Sequence, residues 1–167
     1  TGPIITALRK GKLSETDFAP VAESMKTLNR VACETGLAHG VHGATDITGF
    51  GLAGHAWGMA EASGVRITFE VAALPRFDGV ERWIAKGMCT RNTDKNRDIY
   101  TPHVDLESLG KVASDVFFDP QTSGGLLLAL EATRADGLVR ALRGAGVTAA
   151  RIVGEVGPGP ARILFRG

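Results

Sequence analysis

The sequence predicts an α/β fold in which helices pack on a mixed, largely antiparallel sheet. Three observations carry that expectation. Apolar residues recur every 3.6 positions in some segments and every second position in others. Helix-like and strand-like segments interleave along the chain rather than segregating. Near the end, Gly157-Pro158-Gly159-Pro160 separates two apolar runs and predicts an antiparallel hairpin of Ala150–Val156 with Ala161–Phe165. The chain has 167 residues, of which 44% are hydrophobic and 22% charged, which suits one domain with a core. No linker-like stretch divides it, so residues 1–167 read as a single domain.

The first helix is expected from Asp17 to Thr35, where Phe18, Val21, Ala22, Met25, Leu28 and Ala32 keep a helical period, with Pro20 in the first turn and Gly36 as the stop. A second runs from Gly51 to Ser63 and ends at Gly64. Val65, Ile67, Phe69 and Val71 alternate with polar residues and predict a half-buried strand. A short helix follows Pro75, with Phe77, Val80, Ile84 and Met88 inward, and residues 89–105 read as a long polar loop. Leu106, Leu109 and Ala113 predict another short helix, and Val116-Phe117-Phe118 a short strand. Leu126–Leu130 is continuous and apolar, as in a strand buried on both faces. A last helix carries Ala135, Leu138, Val139 and Leu142 and is expected to be capped by Thr133.

Composition narrows the function. Nineteen basic against eighteen acidic side chains leave a formal charge of +1, which gives no electrostatic case for nucleic acid or an anionic membrane surface. No apolar run is long enough to span a bilayer. Cys33 and Cys89 form no C-x-x-C pair, so both read as small buried hydrophobes in a reducing cytoplasm. The chain opens Thr1-Gly2-Pro3 without an initiator Met, which reads as a processed product or a piece of something longer. Glycine accounts for 22 residues, well above the usual share, and clusters in a few loops where backbone must approach something closely.

The densest such cluster is His39 to His55, with three His, one Asp and five Gly in seventeen residues. Three chemistries compete for it. Gly49-Phe50-Gly51-Leu52-Ala53-Gly54 spells G-x-G-x-x-G before a helix, with Glu70 where a ribose-binding acid would stand; yet the segment before it is polar, and Asp46 would repel a pyrophosphate. His39, His42 and His55 with Asp46 offer donors for a transition metal, but Gly40 between the first two works against a helix that would align them. The third chemistry is a carboxylate–Mg²⁺–phosphate site: Asp46 at a strand end, and Thr48, Gly49 and Gly51 in a turn whose free N–H groups and helix dipole face an anion. Asp46 could equally be a turn or capping residue. A second glycine-rich segment, Asp119-Pro120-Gln121-Thr122-Ser123-Gly124-Gly125, puts three polar side chains before an apolar strand, and reads either as an Asp-Pro turn or as a ligand loop.

Taken together, Ala44-Thr45-Asp46-Ile47-Thr48-Gly49-Phe50-Gly51-Leu52 with Gly54-His55, and Asp119-Pro120-Gln121-Thr122-Ser123-Gly124-Gly125-Leu126-Leu127, resemble the C-terminal half of selenophosphate synthetase, also called selenide, water dikinase. Thr1–Leu8 is similar to that family's entry into this half, and Val153-Gly154-Glu155-Val156 to its closing strand, so the likeness covers nearly the whole chain; Gly87–Asn92, with Arg91 and Asn92, matches only in part. The resemblance implies the C-terminal domain of the aminoimidazole ribonucleotide synthetase-like superfamily, partly ferredoxin-like. It implies a cytoplasmic, homodimeric two-domain enzyme that converts ATP, selenide and water into selenophosphate, phosphate and AMP with Mg²⁺. An N-terminal domain absent from this chain would supply most of the ATP site and the catalytic Cys or selenocysteine with its Lys; neither Cys33 nor Cys89 matches that nucleophile, so no catalytic residue is expected here. Carried over by motif are Asp46 as a metal-binding aspartate, Thr48, Gly49 and Gly51 as the phosphate-side loop, and Gln121, Thr122, Ser123 and Gly124 as a second loop. One carboxylate cannot hold a metal–nucleotide alone, so the chain by itself is expected to be inactive. A related ATP-dependent enzyme with another substrate, and a non-catalytic interaction domain that associates through the face its partner domain would cover, are the competing expectations.

Overall fold

The computed structural model describes residues 1–107 and 109–167. In chain order its elements are α1 (Gly2–Arg9), α2 (Glu15–Lys26), α3 (Arg30–Ala38), β1 (Gly43–Asp46), α4 (Gly51–Ser63), β2 (Arg66–Glu70), α5 (Val80–Ala85), α6 (Arg91–Tyr100), β3 (Val104–Asp105), α7 (Lys111–Phe118), β4 (Leu126–Ala129), α8 (Ala132–Gly144), β5 (Gly154–Gly157) and β6 (Arg162–Arg166). The strands form two sheets. β1 and β4 make an antiparallel ribbon in which Asp46 stands opposite Leu126 and Gly43 opposite Ala129. The other four lie in the order β3-β6-β2-β5, with β2 antiparallel to β5 and parallel to β6, and β3 parallel to β6.

The main core lies on the second sheet. Phe165 of β6 is fully buried between two other aromatic rings. It stacks on Phe117 with centroids 4.1 Å apart and planes within 3°, and on Phe69 at 5.2 Å and 19°. Ala53, Ala56 and Ala60 form the buried stripe of α4 against this layer; their small side chains bring the helix axis close to the rings, as dense packing requires. A second cluster joins Ile4 and Ala7 of α1, Val21 of α2, and Val80, Trp83 and Ile84 of α5, and Val116 of α7 packs against both clusters.

Several elements depart from the sequence expectation, each for an identifiable reason. The single helix over 17–35 is two. Ser14 accepts the Asp17 N–H at 3.1 Å and starts α2 early, which puts Pro20 in its interior. The chain then breaks at Thr27 before α3, and Leu28 is 78% exposed although it keeps the apolar period. Gly36 is no stop; it is buried within α3 against Val41 and Leu128. The expected loop over 89–105 is mostly α6, a polar helix opened by Thr90, whose hydroxyl accepts the Thr93 N–H. Its buried residues are Thr93 and Asn96, so hydrogen bonding rather than an apolar stripe holds it, and hydrophobic periodicity could not find it.

Val116-Phe117-Phe118 is the last turn of α7, which begins at Lys111 rather than near Leu106; residue 108 lies outside the described residues. β2 is buried at Ile67, Thr68 and Phe69 in succession because it is an inner strand, not a half-exposed one. The last two strands form no hairpin: β2 separates them, so that Phe69 pairs in register with Phe165. β4 is only half-buried, being one side of a two-stranded ribbon. α8 starts at Ala132 without a side-chain cap, so Thr133 lies inside its first turn. Cys33 is exposed, contrary to the expectation of burial, and Cys89 is half-buried. Among the described residues no helix is long and apolar enough to cross a membrane.

Candidate functional site

The two glycine-rich segments meet at one end of the β1–β4 ribbon. The ladder continues past the strands, with the Ile47 N–H donating to the Gly125 carbonyl at 3.0 Å. The Gln121 N–H then donates to the Thr48 carbonyl at 3.0 Å, which joins the second loop to the first. Asn96 of α6 completes the junction: its side-chain amide donates to the carbonyls of Gly49 and Phe118, both at 2.9 Å. Two glycines are required by this closeness. Gly51 sits at φ +69°, and a Cβ there would lie 2.7 Å from the Phe117 carbonyl oxygen. A Cβ on Gly124 would collide with the Ile47 carbonyl.

Asp46, the candidate metal carboxylate, is the last residue of β1 and is exposed. Among the described residues its carboxylate accepts no hydrogen bond, so it is neither a cap nor a turn acceptor. Thr48 turns the chain: its carbonyl accepts the N–H groups of Gly51 and Gln121, and its hydroxyl lies 3.1 Å from His55 Nε2. Burial pushes the His55 imidazole below its ordinary pKa, and the nearby Asp46 charge opposes that shift. Phe50 precedes α4, is 56% exposed, and caps nothing, so among the described residues the first N–H groups of α4 have no side-chain partner. Its ring lies 5.4 Å from His55 and 6.2 Å from Tyr100.

The second loop divides in role. Gln121 is engaged by its surroundings, its side-chain amide donating to the Asp119 carbonyl and carboxylate while its oxygen accepts from the Thr1 nitrogen at 2.8 Å. Thr122 and Ser123 are exposed, and Ser123 adopts φ +49°. Asp119 is 1% exposed and accepts from the Thr1 nitrogen, the Gly2 N–H and Gln121. Burial raises its carboxyl above the usual range, against the pull of the Thr1 nitrogen and those hydrogen bonds.

The other constellations are not assembled. His39 Nδ1 turns back to the Thr35 carbonyl at 2.9 Å, His42 is exposed, and among the described residues no three His, Cys, Asp or Glu side chains gather around a common point. The dinucleotide arrangement fails topologically, because β1 and β2 on either side of α4 belong to different sheets, and Glu70 faces Arg166 at 3.3 Å. Cys89 has its thiol pushed up, mainly by burial, and is therefore no activated nucleophile. Arg91 and Asn92 are exposed in the first turn of α6. The residue that the sequence reading missed is Asn96. Its segment has no apolar period, and only the Thr90-x-x-Thr93 start signal could have marked a helix there.

Residues 4–165 match the family described as AIR synthase related protein, C-terminal domain. The chain belongs to that family. Among curated relatives of this AIR synthase-related domain, the selenide, water dikinase of Burkholderia cenocepacia is 36% identical over 163 residues, which is 97% of this chain and 46% of the relative. That of Nitrosomonas eutropha is 37% identical over 160 residues, covering 95% and 46%, and that of Bordetella bronchiseptica 41% over 130 residues, covering 78% and 37%. The chain thus spans about half the length, or less, of the curated relatives it matches. The fold recurs in the crystal structure of thiamine-monophosphate kinase from Stenotrophomonas maltophilia K279a, with a TM-score of 0.63 at 18% identity over 99% of this chain and 47% of that one. It recurs also in the hydrogenase maturation protein HypE, with 0.61 at 20% identity over 98% and 45%. The mixed α/β architecture expected from the sequence is the one the AIR synthase-related domain adopts.

Proposed function

We propose that this domain is the C-terminal half of a selenide, water dikinase, a cytoplasmic, homodimeric enzyme that makes selenophosphate, AMP and phosphate from selenide, ATP and water. The observation that carries the reading is the junction of the two motif loops. Segments about seventy positions apart in sequence are tied together by the Gln121–Thr48 hydrogen bond and by Asn96, and Asp46, an exposed carboxylate without a hydrogen-bond partner among the described residues, stands beside them.

The donor set suits Mg²⁺, which takes one or two carboxylates and fills its remaining positions with water and phosphate oxygens. Asp46 would hold the ion, and Thr48 and Gly49 with the uncapped start of α4 would face the phosphates. When bound, the ion would supply charge neutralisation at the phosphates. This chain's own contribution is positioning. The ribbon fixes Asp46, Asn96 fixes Gly49, and Gln121 fixes the backbone of Thr48. An N-terminal domain would complete the ATP site and bring the nucleophile. Thr122 and Ser123, exposed in the second loop, would face the same cleft.

The deciding experiment is selenide-dependent AMP formation by the longest natural product of the gene, wild type and Asp46→Asn. Activity in the first and none in the second supports the reading. Undiminished turnover by Asp46→Asn removes that residue from the site, and AMP formation independent of selenide assigns another substrate. The isolated 167-residue chain is expected to show no steady ATP hydrolysis.

A further inference from the structure

The Thr48 side chain is held by a residue that the proposed phosphate chemistry does not itself require. His55, one turn into α4, reaches back so that its Nε2 lies 3.1 Å from Thr48 Oγ1. The imidazole is half-buried, with the Phe50 ring 5.4 Å away at a 39° tilt, and Tyr100 backs Phe50 at 6.2 Å edge to face. These rings restrict the imidazole's rotation. Burial disfavours the charged form, which leaves a neutral ring with one N–H. Among the described residues the other ring nitrogen has no hydrogen-bond partner, and neither does the Thr48 hydroxyl apart from His55.

The direction of that single hydrogen bond decides what Thr48 offers a ligand. If Nε2 accepts, the hydroxyl proton points into the helix and Thr48 presents only lone pairs to the cleft. If Nε2–H donates, the hydroxyl proton is free to point outward. The free histidine side chain in water prefers the Nε2–H tautomer, and among the described residues nothing accepts from Nδ1 to reverse it.

We propose that His55 is a positioning residue: its Nε2–H donates to Thr48 Oγ1 and turns the Thr48 hydroxyl proton outward, as a donor to an anionic oxygen of a polyphosphate. This deepens the reading of the Asp46–Gly51 loop and rests on it. Thr48 then supplies a directed hydrogen bond beside the Asp46 carboxylate, where a ligand's anionic oxygen needs a donor rather than a second acceptor. His55 touches no ligand and acts only through Thr48.

Long-range ¹H–¹⁵N NMR of the His55 ring in this chain is the first test, and a protonated Nε2 with a bare Nδ1 is the expected result. The second is titration of the longest natural product of the gene, in which a neighbouring domain would complete the site, with Mg²⁺ and inorganic tripolyphosphate, followed at the Thr48 amide. His55→Ala is expected to weaken the half-saturation point about threefold, because the Thr48 hydroxyl keeps its proton but loses its fixed orientation. His55→Gln, which keeps a side-chain N–H, should restore most of it, a rescue that a purely packing role would not give. An Nδ1–H tautomer, a wild-type Thr48 that does not respond, or equal titrations of wild type and His55→Ala each overturn the inference. Asp46→Asn separates it from the reading beneath: an unchanged titration in that variant removes the metal role of Asp46, while the tautomer and the His55→Gln rescue continue to report on His55 alone.

Discussion

The Asp119 carboxylate accepts the Gly2 N–H at 3.0 Å, so the start of α1 is capped by a loop 117 residues away. No side chain local to α1 does this work; Thr1, at the cap position, makes no capping bond. The tie fastens the second helix cluster to the loop that carries Gln121. Replacing Asp119 with Ala leaves a buried N–H without a partner and is expected to destabilise the fold by about 2–3 kcal/mol, read from the urea midpoint.

The same carboxyl gives a pH prediction. Its pKa is raised in the folded state, mainly by burial. Its contribution to stability is therefore fully present below the unfolded value, about 3.9, and is lost as pH rises through the folded value. Wild type should gain stability relative to Asp119→Asn as the pH is lowered toward about 4, since the Asn variant carries no titrating group there. Parallel urea titrations across that range measure the difference, and a gain on raising the pH would contradict it.

His55 behaves oppositely. Its folded pKa is lowered by burial, so the folded state takes up its proton later than the unfolded chain does. Stability should fall as the pH drops through about 6.5, more in wild type than in His55→Gln. Thermal midpoints of the two proteins between pH 7.5 and 5.5, buffers at about those values, are the measurement.

Gly51→Ala is expected to lose at least about 1–2 kcal/mol, because φ +69° is costly for any residue with a Cβ and the new methyl would press on the Phe117 carbonyl. Beyond the stability loss, the two loops should part, visible as faster hydrogen exchange at the Gln121 amide. Asp46→Asn provides the contrast: the side chain is exposed and has no partner among the described residues, so stability should stay within about 0.5 kcal/mol of wild type.

Phe165→Ala removes the middle ring of the Phe69–Phe165–Phe117 stack and should cost about 3–5 kcal/mol, a large part of the about 5–15 kcal/mol of a typical domain. Circular dichroism with urea would record it.

How far the sequence could be read depended on whether local signals and distant partners agreed. α4 was legible to the residue because its glycine stop and its apolar face coincide, with Gly64 in the left-handed conformation. β2 was found by alternation, but its inner position was not, because Thr68 is buried by neighbours from the far end of the chain. Leu28 kept the helical period and still lies outside, since a period continues through a break that a β-region residue at Thr27 imposes. α6 escaped because what it buries is polar, and the aromatic pair Phe117-Phe118 imitated a strand while ending a helix. The Asp46–Gly51 and Gln121–Gly124 segments could be picked out by composition. That they touch, and that Asn96 and His55 hold them, is a product of strand pairing and helix packing that no local window contains.

The position of β6 between β2 and β3 also dictates an order of events. A strand made of residues 162–166 fills the middle of the larger sheet, so everything synthesised before it must wait with a vacant lane. On a ribosome, this sheet cannot close until residues 162–166 have left the exit tunnel. A nascent chain stalled with β6 still inside the tunnel should therefore stay protease-sensitive throughout the sheet rather than only at its tip.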